Sequence, residues 1–112
     1  MSIIISLVAC PSEEIASALA KLLVDRELAA CAQVLPLTQS VYRWKGEVCI
    51  DQEVLLLIKT TSELKDEVRT AVEENHPYET PEFVVIEASD VSEKYGEWLR
   101  QSVRSVRSRV SD

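Results

Sequence analysis

The chain has two glycines in 112 residues, Gly46 and Gly96, and a single histidine, His76. Neither a P-loop nor a dinucleotide-binding turn can be written with so little glycine, because both need several closely spaced glycines to bring backbone near phosphate. The sequence also lacks a G-x-S-x-G elbow and any local cysteine signature, so a serine- or cysteine-nucleophile enzyme has no visible site, and a non-enzymatic protein is expected. Cys10, Cys31 and Cys49 form no C-x-x-C pair. An odd number of widely spaced thiols argues against a disulfide framework or a closed structural zinc site and fits free thiols in a reducing cytoplasm.

Positive charge is scarce as well. The formal net charge is -7 with a pI near 4.7, and a nucleic-acid partner, which needs a concentrated basic face, is not expected. Eight acids lie between Glu73 and Glu97 against Lys94 alone, whereas Arg100, Arg104, Arg107 and Arg109 crowd the end. Such an acidic stretch attracts cations or is simply a solvated surface. No stretch approaches the roughly 18 apolar residues of a membrane span, so no membrane partner is expected. The opening "MSIIISLVAC" places Leu7-Val8-Ala9-Cys10 like a lipoprotein cleavage box, but it has no basic n-region and its apolar run is short; a first strand is the better reading.

What is present alternates strand and helix patterns. Ile3 to Ala9 is β-branched and apolar, and "CPSEE" follows with a serine cap and two acids suited to a helix N-terminus. Ile15, Ala18, Leu19, Leu22 and Leu23 then share a helical face. Ala30 to Thr60 reads as a long hairpin with Lys45-Gly46 at its turn and Pro36 marking a bulge or an edge. A second helix carries Leu64, Val68, Ala71 and Val72 and ends at Asn75 and Pro77. "EFVVIEA" is a short strand. Asp90 and Glu93 have capping-box spacing before a third helix marked by Tyr95, Trp98, Leu99, Val103 and Val106. The order β-α-β-β-α-β-α predicts a single α+β domain over 1–112, a ferredoxin-like split β-α-β sandwich with a long β2-β3 hairpin and an extra C-terminal helix.

The stretches "ELAACAQVLP" (Glu27–Pro36), "SVYRWKGEV" (Ser40–Val48), "EVLLLIKTT" (Glu53–Thr61), "HPYETPE" (His76–Glu82) and "YGEWL" (Tyr95–Leu99) occur in an order and spacing that resemble the CutA family, from Ile3 to Gln101. The resemblance implies a homotrimer of ferredoxin-like subunits, similar in architecture to PII signalling proteins. It also implies a role in tolerance to divalent cations, copper chief among them. In copper-binding members the ligands are a cysteine near the end of strand one and two adjacent histidines before Pro-Tyr. His76 matches the second histidine, Asn75 stands at the first, and Val8 at the cysteine.

Two candidate sites follow. His76 with Glu79 and Glu82 offers nitrogen and oxygen donors for copper or another divalent cation, and Cys10 lies two residues beyond Val8 on the same strand face. Against this, His76 suits a helix cap and Cys10 a buried small hydrophobe. Tyr42, Trp44, Glu53, Lys59 and Tyr78, together with His76 and Glu82, have the makings of a cleft between subunits for a small polar metabolite, the basis of a PII-like signalling alternative. Tyr42 and Trp44 could equally pack the hairpin against a neighbouring subunit.

Overall fold

The computed structural model describes residues 2–105. Its elements are β1 (Ile3–Cys10), α1 (Glu13–Asp25), β2 (Cys31–Trp44), β3 (Glu47–Thr61), a 3-10 turn (Ser62–Leu64), α2 (Lys65–Asn75), β4 (Val84–Glu87) and α3 (Glu93–Gln101). The strands form one antiparallel sheet in the order β2-β3-β1-β4. This is the ferredoxin-like α+β arrangement that the sequence pattern predicts.

Each helix starts or stops for a local reason. Ser12 Oγ accepts the Ile15 N–H at 3.2 Å and caps α1, and Glu13 and Glu14 follow in its first turn. The other end of α1 closes with a Schellman pair: Leu28 N donates to Leu23 O and Glu27 N to Val24 O. Glu27 is the left-handed residue this motif requires, at φ 58°. Asn75 closes α2, its Nδ2 donating to Ala71 O at 2.7 Å. Ser92, not Asp90, is the N-cap of α3, and it makes no side-chain capping bond. The capping-box spacing therefore misplaces the start of that helix by two residues.

Strand alternation puts Ile4, Ser6, Val8 and Cys10 of β1 and Val54, Leu56, Ile58 and Thr60 of β3 on one buried face. Leu19 and Leu23 of α1 and Val68, Ala71 and Val72 of α2 cover that face. Ala16 takes the core position on α1, and Ala18 faces outward. On the third helix Gly96 and Leu99 turn inward, while Tyr95 and Trp98 remain substantially exposed. The aromatic residues that mark this helix in the sequence are thus mostly on the surface. Val103 lies past the end of α3 and packs on the core, and Val106 is outside the described residues.

The β2-β3 hairpin outruns the rest of the sheet. Strand β1 stops opposite Val54, so residues 47–53 have no neighbour on that side. Lys45 and Gly46, at φ 50° and 82°, form the two-residue turn, the paired positive dihedrals expected of a type I′ hairpin. A bulge between Leu35 and Thr38 surrounds Pro36 on the edge strand, where a missing N–H costs least. The arm stretches the molecule to 48 Å, with a radius of gyration of 14.9 Å against about 13 Å for a compact chain of this length.

Behind the sheet, Thr60 Oγ1 donates to Leu28 O at 2.6 Å and ties β3 to the turn after α1. Thr60 is fully buried. Thr60→Val keeps the shape and removes the bond, and chemical denaturation is expected to show a loss of about 1–3 kcal/mol. An unchanged midpoint would mean that the bond contributes nothing net.

Candidate functional site

Strand β4 pairs with β1 only as far as the Leu7–Val84 pair. The next residue of β1 on that edge is Ala9, and its N–H and C=O need partners there. Side chains supply both. The Ala9 N–H donates to the Glu82 carboxylate, and His76 Nε2 lies 2.8 Å from Ala9 O. The segment 76–82 thereby continues the sheet edge with side chains where β4 would have used backbone.

This geometry determines the histidine tautomer. Tyr78 N is a donor and lies 3.1 Å from His76 Nδ1, so Nδ1 accepts. The ring proton then sits on Nε2, which donates to Ala9 O. His76 is only 8% exposed and is the C-cap residue of α2. A metal ion would need the Nδ1 lone pair, and coordination there breaks the bond from Tyr78.

Cys10 lies in the core beside Val8, both fully buried. Burial, together with the negative charges of Glu53 and Glu82, pushes its thiol up to about 11. The thiol is therefore held protonated at neutral pH, and proximity to the start of α1 does not lower it. Among the described residues no three His, Cys, Asp or Glu side chains converge as a metal site.

What the fold brings together is a cleft of about 790 Å³ between the hairpin arm, from Glu53 at its base to Trp44 beside its turn, and the 76–82 segment. Tyr42, Trp44 and Tyr78 provide its aromatic walls, and Asp51, Glu53, Glu79 and Glu82 its charge. Tyr78 Oη donates to Glu53 Oε2 at 2.7 Å, and Tyr42 Oη donates to Asp51 Oδ2. The bond to Asp51, reinforced by charge, pushes the Tyr42 phenol up to about 12. Tyr78 is raised further, by burial first and by Glu53 second. Glu82 is an exposed residue, but partial enclosure of its carboxyl and the charge of Glu53 hold it above the usual carboxylate range, a shift that the Ala9 N–H partly opposes.

Of the residues singled out from sequence, Tyr42, Trp44, Glu53, Tyr78, Glu79 and Glu82 line this cleft. Lys59 of the same chain does not. It lies six residues up β3 from Glu53, with its Nζ 5.6 Å from the Tyr95 ring centroid. Cys10 and His76 sit just behind the cleft without lining it. Asp51 is the charged cleft residue that sequence reasoning missed, although the i, i+2 spacing in "CIDQEV" already placed it on the same strand face as Glu53.

The sheet order, the two covering helices and the extended hairpin define a ferredoxin-like protein with an acidic, aromatic cleft along the arm. A family profile described as "CutA1 divalent ion tolerance protein" matches residues 4–102, and the chain belongs to that family. It is 44% identical over 96 residues to "Divalent-cation tolerance protein CutA" of Thermus thermophilus, covering 86% of this chain and 93% of that protein. It is 37% identical over 105 residues to human "Protein CutA", covering 94% of this chain but spanning only 59% of the human protein's length. Two solved structures are similar: the Thermus thermophilus divalent cation tolerance protein has a TM-score of 0.88 at 41% identity over 91% of this chain and 99% of that one. Oryza sativa CutA1 has a TM-score of 0.91 at 37% identity over 94% and 96%.

His76→Ala strands the Ala9 carbonyl and the Tyr78 N–H. The expected result is a loss of about 1–3 kcal/mol on denaturation, with hydrogen exchange of the Tyr78 amide accelerated relative to the core strands. Unchanged Tyr78 exchange in the variant would show that His76 does not hold the segment.

Proposed function

We propose that this protein is a non-enzymatic, trimeric divalent-cation binding protein of the tolerance type, with copper or a related ion as its cargo. The observation that carries this reading is the uncompensated charge in the cleft. Burial of its carboxyl first and the charge of Glu53 second raise Glu82, and among the described residues no basic side chain lines the cleft. A divalent cation would relieve that repulsion, with Glu82 and Glu53 as first donors and Glu79 and Asp51 within the same lining. His76 then acts from behind by holding the 76–82 segment, and Cys10 stays in the core. One chain supplies too few converging donors for a tight site. Weak binding, completed by groups from a neighbouring subunit, is what this geometry supports.

Assembly is supported by the arm. Val41, Val48 and Ile50 are 61–63% exposed, and the Tyr42 and Trp44 rings are about two-fifths exposed. An apolar two-stranded arm in water is a self-association surface, and a closed ring of three copies covers every arm alike. A second reading, a PII-like signalling protein holding a small metabolite, is favoured by the cleft's size, which far exceeds that of a bare ion. The three free thiols favour a reducing compartment such as the cytoplasm, which cell fractionation would test.

Metal binding has a defined pH signature. Protons compete with the metal for Glu82, whose raised pKa means that it binds protons more tightly than an ordinary carboxylate. Calorimetric titration with Cu(II) is expected to weaken as pH falls, beginning above the usual carboxylate range near about 4.3. Glu82→Gln should remove that part of the pH dependence, and a pH-independent isotherm in the wild type would sink the carboxylate site.

Light scattering at micromolar concentration is expected to give a trimer. Trp44→Ala should dissociate it or make its melting concentration-dependent, because truncating a buried interface aromatic often costs about 2 kcal/mol or more. A monomeric wild type would overturn the assembly.

A further inference from the structure

We infer that Tyr78 sets which cations the site admits: by holding one oxygen of Glu53 it restricts that carboxylate to coordination through the other, which suits small divalent ions and disfavours calcium. The inference rests on the cation site proposed above and names its ion class. Glu53 and Glu82 are the first donors of that site, and Tyr78 is a positioning residue that acts through Glu53. Glu53 is only 8% exposed, and Tyr78 Oη donates to its Oε2 at 2.7 Å, which leaves Oε1 for an ion. Glu82 is committed in the same way, its carboxylate accepting the Ala9 N–H. Both bonds are made within one chain, where the 76–82 segment meets the body of the sheet, so neither depends on the groups that a neighbouring subunit adds.

Tyr78 is itself held in place. Its backbone N–H donates to His76 Nδ1 at 3.1 Å, and its ring lies 4.7 Å from the His76 ring, centroid to centroid. The phenol therefore reaches Glu53 from a fixed direction, and turning both Glu53 oxygens toward an ion would break a hydrogen bond to a carboxylate. The chemistry of the ions converts that constraint into selectivity. Oxygen donors by kind alone would suit calcium. Calcium, however, takes about six to eight oxygens at roughly 2.3–2.6 Å and often grips a carboxylate by both oxygens at once. Zinc, copper and magnesium hold fewer ligands at about 2.0–2.2 Å and accept one oxygen from each carboxylate. A site whose two donor carboxylates each have a hydrogen bond to keep cannot easily raise its oxygen count to what calcium requires.

Calorimetric titration of the full chain with Cu(II) and, separately, with Ca(II) tests this in the wild type and in Tyr78→Phe. Phenylalanine keeps the ring beside His76 and removes only the hydroxyl, at a residue that is 38% exposed, so the fold is not at stake. A merely structural role for Tyr78 would weaken both ions together, whereas control of ion class changes their ratio. The expected result is that the wild type prefers copper, and that in Tyr78→Phe the affinity for calcium relative to copper rises about tenfold as Glu53 gains a second free oxygen. An unchanged ratio, with circular dichroism showing the fold intact, would overturn the role of Tyr78 and leave the cation site standing. Calcium bound by the wild type as tightly as copper would overturn the selectivity. No saturable binding of either ion to the wild type would overturn the cation site, and this inference with it.

Discussion

Beyond its pairing with Val84, strand β1 runs on toward Cys10 with an edge that β4 does not reach, and the Ala9 N–H and C=O on that edge cannot be left unsatisfied. Glu82 accepts from the N–H and His76 donates to the C=O. Those two bonds draw the 76–82 segment against the sheet and bring Tyr78 close enough to Glu53 to hydrogen-bond. The cleft wall is therefore a consequence of completing a sheet edge. The histidine is integral to this arrangement, because each ring nitrogen has a backbone partner.

The second constraint is the unequal length of the strands. Strand β3 has 15 residues and β1 has 8, so the hairpin must leave the body of the sheet. Its turn and its bulge are built for that extension, with positive dihedrals at Lys45 and Gly46 and a further one at Leu37 beside Pro36. The arm forms one wall of the cleft along its length and also exposes apolar side chains. A surface that needs covering and a cleft open at one side are adjacent parts of the same element.

Electrostatics gives the cleft its character. Burial and mutual repulsion raise Glu82, and both Glu53 and Glu82 push up the thiol of Cys10 behind them. Among the described residues no basic side chain lines that cleft. A cation bound there would compete with the proton for Glu82, which links occupancy to pH through that carboxylate.

Much of this was legible in the sequence because it follows from local rules. β-branched and apolar runs marked the strands, Ser12 marked the start of α1, and Lys45-Gly46 and Pro36 marked the turn and bulge; each signal lies within a few residues of its effect. The resemblance of five linked motifs to one family also belonged to the sequence. Short-range pattern could not say which way an amphipathic helix turns when the sheet face it meets is small, so Ala16 and Gly96 took core positions while Ala18, Tyr95 and Trp98 faced outward. Nor could it separate Lys59 from the cleft, because distance along a strand becomes separation in space only once the strand is extended. Above all, the sequence allowed His76 to be a ligand or a cap, and only the meeting of Ala9 with a histidine 67 residues away decided where both ring nitrogens are spent. That contact depends on where β4 stops, and where a strand stops is decided by its neighbours in the sheet.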